Sequence, residues 1–372
     1  MTWSFRPALK NFEAARRDWD SLNHSQYDHI LLDSGFVAPL LRHFGSDDVL
    51  LGASANSSRP GMLLAVRKAT GIWETFQPSQ APIGLFIPGS HAEPAKFLPE
   101  ILRGLPGPAV QLAILQQDSA FGPLSPESAA ARLEAIEFAD TAGLTVNGTF
   151  EKYWAERNDD LRRNMMRRIR RLEKQGSHLE LSTLTAPGDV AEAIREYGRI
   201  EAQGWKGRNG TAITEDNDQA HFYRDVMQHF CARGEGYIYR VHLDGRLIGS
   251  ELYIMRNGML VGLKTTFDES LRELSPGFLM KYLIIRQVFA EAKANTIEFY
   301  GPVKDWHGKW ATHIRPLFHF NYFRYGWIRT LRRVVKRMAA SNRTAAIPKK
   351  NVQLSPDELT ALPAAARTLE KT

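Results

Sequence analysis

The sequence predicts an α+β protein made of two similar units, each a mixed, mostly antiparallel sheet flanked by helices. The first observation is a run of three strands over residues 236–267, separated by the turn signals Asp244-Gly245 and Asn257-Gly258. The second is the order of elements. A pair of helices, antiparallel strands, a helix and a further strand occur twice along the chain, which indicates a duplicated unit although the halves share negligible sequence identity.

The first unit is predicted over residues 1–150. Apolar periodicity and turn residues place its elements as helices at 11–22, 34–44, 97–103 and 126–138 and strands at 49–53, 62–67, 71–76 and 109–115. Its helix starts contain no equivalent of Ser275-Pro276-Gly277, so we expect this unit to be the degenerate one.

The second unit is predicted over residues 178–338. Its elements are helices at 190–204, 221–232 and 275–294 and strands at 236–243, 247–255, 259–267 and 296–300. A basic connecting segment, residues 151–177, lies between the units and ends at Gly176, a typical helix stop. Residues 339–372 are rich in small and polar side chains and are predicted to be a flexible tail.

Composition excludes several classes of protein. The 372 residues are 43% hydrophobic, which is enough for well-packed cores, and no apolar run approaches the ~20 residues of a membrane helix. The first residues lack the apolar core of a signal peptide, and Cys231 is the only cysteine, so no disulfide framework is expected. We therefore predict a cytoplasmic protein, with attachment to the inner face of the membrane as an alternative.

The net charge of +7 is unevenly distributed. One predicted helix carries the cations Arg162, Arg163, Arg167, Arg168, Arg170, Arg171 and Lys174. A second cluster lies within residues 324–337. Such helices bind nucleic acid, anionic lipid or a polyanionic substrate, or are simply solvated faces. No DNA-reading motif accompanies them, so sequence-specific DNA is not an expected partner, whereas tRNA and, from the R-x-x-x-R spacing of Arg329 and Arg333, a cyclic dinucleotide stay open.

The glycine that opens the helix after the three strands is a candidate anion site. The first turn of a helix has unpaired N–H groups and the positive end of the helix dipole, which together favour a phosphate. The Ser275 hydroxyl is expected to cap the helix and contact that phosphate. The bland alternative is that Pro276-Gly277 merely begins a helix.

Four motifs carry a resemblance to a known family. Glu201 to Gly207 with Gly210 to Ile213 resembles an E-x-x-x-W-K-G…G-T-A-I segment, and Ser275 to Leu279 an S-P-G-x-L helix start. The segment 162–173 resembles an R-R-x-x-R-x-L-E stretch, and Gly301 and Lys309 match a glycine-rich loop and the lysine of a Y-K pair. These motifs are similar to those of CelD-like (BioF2-like) proteins of the GNAT acyltransferase superfamily, often encoded in exopolysaccharide clusters and related to Fem-type transferases.

The resemblance implies an enzyme, a GNAT-type N-acyltransferase. Its expected co-substrate is acetyl-CoA or another acyl-CoA, and its expected acceptor is an amine on a nucleotide- or lipid-linked sugar, within a polysaccharide synthesis machinery. Gly308 replaces the tyrosine of the Y-K pair, and the phosphate loop at 273–277 has one glycine only. The donor therefore stays open, with a Fem-like aminoacyl-tRNA-dependent transferase and a non-catalytic binding module as alternatives.

The resemblance, together with positions beside the predicted cleft, gives the candidate site residues, each with an ordinary surface, turn or core role as its alternative. The catalytic candidates are Glu201, Asp268 and Lys309. The cofactor-binding candidates are Lys264, Ser275, Pro276, Gly277, Phe278 and Leu279. The substrate-binding candidates are Trp205, Lys206, Asp305 and Trp306. Acyl transfer to an amine needs a proton acceptor, which the two carboxylates would supply, and a donor that stabilises the tetrahedral oxyanion.

Other chemistries find no support in the residues. The histidines show no paired metal-ligand spacing, so no metal is expected. The sequence contains neither a G-x-S-x-G nucleophile elbow nor a G-x-x-x-x-G-K-[ST] phosphate loop.

Overall fold

A computed structural model describes residues 3–54, 61–89, 94–122, 124–208, 210, 212–214 and 216–330; of Trp205 and Lys206 it describes the backbone only. The strands are β1 Trp3–Pro7, β2 Leu50–Ser54, β3 Met62–Ala69, β4 Ile72–Thr75, β5 Phe86–Ile87, β6 Gln111–Asp118, β7 Leu133–Thr145, β8 Leu179–Leu184, β9 Gly236–Leu243, β10 Arg246–Arg256, β11 Met259–Phe267, β12 Thr296–Glu298 and β13 His313–Phe323. The helices are α1 Ala8–Gln26, α2 Ser34–Phe44, α3 Pro94–Gly104, α4 Phe150–Ala155, α5 Asp159–Lys174, α6 Val190–Gln203, α7 Trp205–Arg208, α8 Asp218–Ala232, α9 Pro276–Glu291 and α10 Asp305–Trp310.

The strands form one continuous sheet in the order β1-β2-β3-β4-β6-β13-β7-β12-β11-β10-β9-β8, with β5 paired to β3. Among the strands described, β4–β6 and β11–β12 are parallel pairs and the others are antiparallel. The predicted α+β class, with a mostly antiparallel sheet flanked by helices, is confirmed.

The topology repeats and then crosses over. In each half an antiparallel run ends in a strand, a helix and a parallel strand: β4-α3-β6 in the first half and β11-α9-β12 in the second. The last strand of each half then pairs with the other half, since β7 lies beside β12 and β13 lies beside β6. Strands β7 and β13 also pair with each other, so the two halves are joined by exchanged strands.

Helices cover both faces of this sheet. Helices α1, α2, α6 and α8 share one buried apolar cluster, to which Leu252 of β10 and Val261 of β11 also belong. Helices α4, α5, α9 and α10 share a second cluster, to which Tyr253 and Leu260 of the same strands belong. Neighbouring residues of one strand thus enter different clusters, as the alternation of side chains along a strand requires.

The predicted helix over residues 126–138 is wrong. Its second half belongs to β7, which begins at Leu133, and only a short 3₁₀ turn, Pro126–Ser128, precedes it. The segment is rich in alanine, leucine and glutamate, which favour a helix locally, but pairing with two neighbouring strands overrides this weak preference. Strands β1, β5, β8 and β13 were not anticipated either.

The turn and cap signals are confirmed. Asp244, Gly245, Asn257 and Gly258 all have positive φ angles, between 50° and 79°, which match the primed turns of tight hairpins. Helix α5 begins with the Asn158 side chain accepting hydrogen bonds from the amides of its first turn, and Gly176 follows its end with φ 69°.

Residues 1–324 form one compact unit and residues 325–372 a second. Within the second, the described residues 325–330 contain the stacked rings of Tyr325 and Trp327, whose centroids are 6.2 Å apart. The predicted tail at 339–372 lies outside the described residues, as does most of the second basic cluster. The predicted domain boundaries stay a prediction.

Candidate active site

Strands β11 and β12 separate to form an open edge. They pair in parallel only over Met259–Val261 of β11, because β12 ends at Glu298 while β11 continues to Phe267. The second half of β11 therefore has no β12 neighbour along one edge. Backbone groups on such an edge are available to pair with an extended ligand.

Helix α9 begins beside this opening, but its first turn offers few free amides. Ser275 has φ 50°, and its carbonyl accepts hydrogen bonds from the amides of Phe278 (2.9 Å) and Leu279 (3.2 Å). The Ser275 amide itself donates to the Arg272 carbonyl at 3.0 Å. Since Pro276 has no N–H, the Gly277 amide is the one N–H of residues 275–279 without a partner among the described residues.

The expectation for the Ser275 hydroxyl needs correction. It makes no capping hydrogen bond to α9 and instead lies 3.4 Å from the Arg272 carbonyl. The cause is the left-handed backbone at Ser275, which differs from the extended conformation of an ordinary N-cap residue. The Leu279 and Pro276 side chains are buried in the core, so only backbone groups at these positions could meet a ligand.

Two side chains lie against the start of α9. The ring of Phe267, at the end of β11, is 39% exposed and would lie 2.9 Å from a Cβ atom added at Gly277. The Lys309 ammonium of α10 lies 5.2 Å from the ring centroid of Phe278. Lys309 is exposed and forms no ion pair within the described part of the chain. The first turn of α9 thus lies between the end of β11 and the helix that follows β12.

Glu201 and Lys264 are brought together on the α6 face of β11. Their charged groups are 3.3 Å apart, and the Glu201 carboxylate, 3% exposed, also accepts a hydrogen bond from the Ile213 amide at 2.8 Å. Lys264 donates to Gln219 of α8 at 3.1 Å and lies 5.4 Å from the ring centroid of Tyr223. Both residues are on the strand and helix predicted for the site, and their roles stay predictions.

Asp268 follows β11 directly, as expected, but its carboxylate is occupied. It pairs with Arg246 of β10 and accepts hydrogen bonds from the Ser270 amide (2.8 Å) and hydroxyl (2.6 Å). Strand β10 lies on the side of β11 away from β12. This geometry favours a structural cap for the 3₁₀ turn Glu269–Leu274 over proton transfer in the opening.

The remaining candidates divide into two groups. Trp205 and Lys206 lie in the short helix α7, and their side chains fall outside the described residues. Asp305 is exposed at the first position of α10. Trp306 packs against Phe299 (6.0 Å between ring centroids) and stacks on His307 at 3.6 Å, so its role includes core packing.

A buried network on the α9 face was not anticipated. Lys281 donates hydrogen bonds to Glu251 and to the Tyr253 hydroxyl, both at 2.8 Å, and Thr265 of β11 donates to Glu251 at 2.8 Å. Phe299 and Trp306 lie over the Lys281 ammonium, with ring centroids at 5.0 and 5.6 Å. A signal was present in the sequence, since each charge interrupts an otherwise apolar strand or helix.

A second buried network connects the two halves of the chain. The Nδ1 atom of His29 accepts from the Leu31 amide at 3.2 Å, so its Nε2–H faces the Tyr300 hydroxyl at 3.1 Å. Tyr300 donates in turn to Asp118 at 2.9 Å, and Arg315 of β13 binds the same carboxylate at 2.7 Å. Burial, the largest cause, lowers the pKa of His29 to about 4.

Three further findings concern metal ligands, membrane-spanning helices and the single cysteine. The described residues contain no group of three or more His, Cys, Asp or Glu side chains that could hold a metal ion. Among the helices described, none combines the length and the apolar character needed to cross a bilayer. Burial raises the pKa of Cys231 to about 11, which makes this thiol a poor nucleophile.

Comparison with known proteins identifies the kind of domain that carries this geometry. Residues 159–307 match the family model described as an acetyltransferase (GNAT) domain. The match begins at the first residue of α5 and includes α6, α9, β12 and the opening beside them. This part of the chain is thus similar to a GNAT acetyltransferase domain, which indicates a transferase. No curated protein matches the chain.

Solved structures share the fold at low sequence identity. The crystal structure of FemX has a TM-score of 0.56 and 11% identity, over 85% of this chain and 98% of FemX. A conserved protein of unknown function from Bacteroides thetaiotaomicron has a TM-score of 0.55 and 10% identity, over 86% and 99%. The C-terminal domain (DUF2156) of a protein described as a putative lysylphosphatidylglycerol synthetase, from Agrobacterium fabrum, has a TM-score of 0.52 and 12% identity, over 83% and 92%.

Proposed function

We propose that this protein is an N-acyltransferase that moves an acyl group from acyl-CoA, with acetyl-CoA the first choice, to an amine on a sugar or cell-surface polysaccharide precursor. The observation that carries the proposal is the separation of β11 from β12 beside the start of α9. The open edge of β11 can pair with the extended arm of the donor, and the Gly277 amide with the α9 dipole can meet a phosphate.

The groups around the opening fit such a donor. Lys309 adds a cation at the first turn of α9, and Phe267 provides an exposed apolar wall at the end of β11. The acceptor class in this proposal is based on the resemblance to CelD-like proteins of exopolysaccharide clusters. The amine would be carried by a nucleotide- or lipid-linked sugar. The cytoplasm, including the inner membrane surface, is the proposed location.

The chemical step assigns a role to Glu201. As the amine nitrogen forms a bond to the thioester carbonyl, its proton passes to the Glu201 carboxylate, which Lys264 and the Ile213 amide hold in place. A backbone N–H on the open edge of β11 stabilises the oxyanion. The C–S bond then breaks, the thiolate takes up a proton, and an amide and a free thiol result. Asp268 is not given a role because it pairs with Arg246 of β10, which lies on the side of β11 away from the opening.

Calorimetric titration of acetyl-CoA tests the proposal. We expect micromolar binding to the wild-type protein and no detectable binding to Gly277→Glu, because that side chain meets the Phe267 ring and places a negative charge at the phosphate site. Gly188→Glu is the matched control, since it adds the same charge where a Cβ meets nothing within 4 Å. No heat with the wild-type protein would rule out acetyl-CoA as the donor.

A second candidate is a Fem-like transferase that takes its acyl group from aminoacyl-tRNA. The basic face of α5 and the fold shared with FemX favour it. In that case charged tRNA replaces acetyl-CoA as the ligand, and its affinity falls steeply with salt. Absence of binding with both donors would leave a non-catalytic module of a polysaccharide synthesis complex.

A further inference from the structure

Helix α5 presents a basic groove to which the acyl-CoA reaction described above assigns no role. The groove has a volume of about 860 Å³ and is open to solvent. Its cationic lining consists of Arg162, Arg163, Arg167, Arg170, Arg171 and Lys174. Trp154 and Met166 contribute apolar surface between them. We call this surface the α5 groove.

Part of this charge is not neutralised by the protein. Arg162 and Arg163 pair with Asp159 and Asp160 of the first turn of α5. By contrast, Arg167, Arg170 and Lys174 form no ion pair within the described residues. They follow one another at spacings of three and four residues, so they lie along one side of the helix. Three neighbouring cations in this arrangement attract a ligand with several negative charges.

The α5 groove lies next to the start of α9. At its surface Arg171 lies 3.8 Å from the carboxylate of Glu273, two residues before Ser275. Beneath the groove Trp154 stacks on the buried Trp310 with 6.0 Å between ring centroids, and Trp310 is 5.9 Å from Phe278 of the first turn of α9. A ligand held by the first turn of α9 can therefore extend into the α5 groove.

The first turn of α9 is a poor phosphate site by itself. It offers the Gly277 amide and the nearby Lys309 ammonium, since the amides of Ser275, Phe278 and Leu279 are already bonded within the chain. Coenzyme A carries a diphosphate and a further 3′-phosphate on its adenosine. Several strong donors are needed for so many anionic oxygens, and guanidinium groups are well suited because each can bind phosphate in a bidentate manner.

We propose that the α5 groove binds the phosphorylated adenosine end of the acyl donor, while the open edge of β11 holds its acyl arm. This inference rests on the acyl-transfer function proposed above. It names the part of the donor that the arginines of the α5 groove recognise. An RNA whose last nucleotide is adenosine also ends in a phosphorylated adenosine, with its phosphate on the 5′ oxygen and a free 3′ hydroxyl. The α5 groove would therefore accept this group from either source, and the experiment separates them.

The test compares CoA with 3′-dephospho-CoA by calorimetry. The variant Arg167→Gln/Arg170→Gln/Lys174→Gln removes the three unpaired cations, and glutamine preserves helix propensity. The control Lys10→Gln/Arg17→Gln/Arg103→Gln removes the same charge from exposed positions on α1 and α3. We expect the wild-type protein and the control to prefer CoA by about tenfold, as a charged hydrogen bond implies, and the groove variant to bind both ligands equally.

The outcomes separate this inference from the proposed function. If the groove variant keeps the wild-type preference for CoA, and also binds a short single-stranded RNA ending in adenosine as well as the control does, the inference is overturned while acyl transfer stands. If the groove variant loses only the RNA, the phosphorylated adenosine comes from RNA. If the wild-type protein binds RNA but no CoA, the acyl-CoA function fails; loss of that RNA binding in the groove variant, but not in the control, would then identify the α5 groove as the RNA site.

Discussion

Two lysines, on opposite faces of the sheet, each have a buried carboxylate partner near the opening between β11 and β12; Lys281 is buried and Lys264 is partly buried. Lys264 pairs with Glu201, and Lys281 pairs with Glu251, which is 1% exposed. Taking such a pair out of water is costly, and removing one partner is more costly still because it leaves the other charge buried. A buried pair beside a reaction site can therefore serve stability, catalysis or both, and mutations must separate these effects.

For the first pair we expect Glu201→Gln to lower the free energy of unfolding by about 3 kcal/mol, because it leaves the Lys264 ammonium without its carboxylate. The double variant Glu201→Gln/Lys264→Met should regain most of that loss. Urea unfolding measures both. Acyl transfer should fall at least about a hundredfold in both variants, since neither has the proton acceptor. A double variant that regains stability and activity together would show that Glu201 only supports the fold.

His29, in the first half of the chain, contacts Tyr300, which lies two residues after the end of β12. Neutral His29 accepts from the Leu31 amide and donates to Tyr300, and a second ring proton would break the first of these contacts. Burial lowers the pKa of His29 to about 4, from an ordinary 6.5. His307 shifts in the same direction, chiefly through burial and next through the charge of Lys281.

These shifts predict how stability depends on pH. Between about pH 6.5 and pH 4 the unfolded chain binds a proton at His29 that the folded chain does not bind. The contribution of His29 to the free energy of unfolding is therefore fully present above pH 6.5 and decreases as the pH falls toward 4. The contribution of His29 is at most about 3 kcal/mol, given about 1.4 kcal/mol for each pKa unit. His29→Gln should show a smaller fall over this range in urea unfolding. Burial raises the pKa of Glu298, so this carboxyl group favours the folded state as the pH falls, opposite to His29. The test is therefore the difference between the wild-type protein and the His29→Gln variant.

At the scale of elements, helix α6 holds Glu201 in place partly through a glycine. A Cβ atom at Gly198 would lie 2.8 Å from the carbonyl oxygen of Ile213, whose amide binds Glu201. The close approach of helix and segment therefore depends on the missing side chain. Gly308 in α10 is the contrasting case, because a Cβ there would meet nothing within 4 Å.

The same substitution should consequently have opposite effects at the two glycines. Gly308→Ala should raise the free energy of unfolding by up to about 1 kcal/mol, from helix propensity alone. Gly198→Ala should lower it by about 1 to 3 kcal/mol, because the Ile213 backbone must move. Thermal unfolding of both variants checks the prediction. Equal stabilisation at both positions would mean that the segment at 212–214 shifts without cost.

Elements with strong local signals could be predicted, and elements defined by distant partners could not. Helix α2 and the turns at Asp244-Gly245 and Asn257-Gly258 agree with the sequence because caps and positive φ angles are local properties. Strand β13 could not be predicted, since Pro316 argues against a central strand, yet the residue pairs with Asp140 there. At the site, the start of α9 follows from Pro276-Gly277, but the Lys281–Glu251 contact joins residues 30 positions apart and depends on the fold.

At the scale of the whole molecule, the halves cannot be separated at the predicted boundary without cost. Strand β6 pairs with β13, and β7 pairs with both β12 and β13. A fragment of residues 1–150 would keep its helices and its first strands but lose every partner of β7. Its edge strands would also be open to pairing with other chains.

We therefore expect the fragment 1–150 to be poorly folded and prone to aggregation, whereas residues 1–324 should retain the circular dichroism spectrum and the cooperative unfolding of the full chain. Size-exclusion chromatography and thermal unfolding distinguish these cases. Deletion of residues 313–324 from the longer fragment should disrupt the first half as well as the second. A monomeric fragment 1–150 with a sharp melting transition would contradict this view and support independent units.

The exchange of β7 and β13 has a consequence for synthesis on the ribosome. Strand β7 ends at Thr145, and β13 begins about 170 residues later. At translation rates of about 5–20 residues per second, the nascent first half waits roughly ten to thirty seconds for its missing neighbour. During that time β6 and β7 have unpaired edges that other chains can contact, so we expect chaperones to bind them. The two halves therefore reach the native state together, after the last strand has left the exit tunnel.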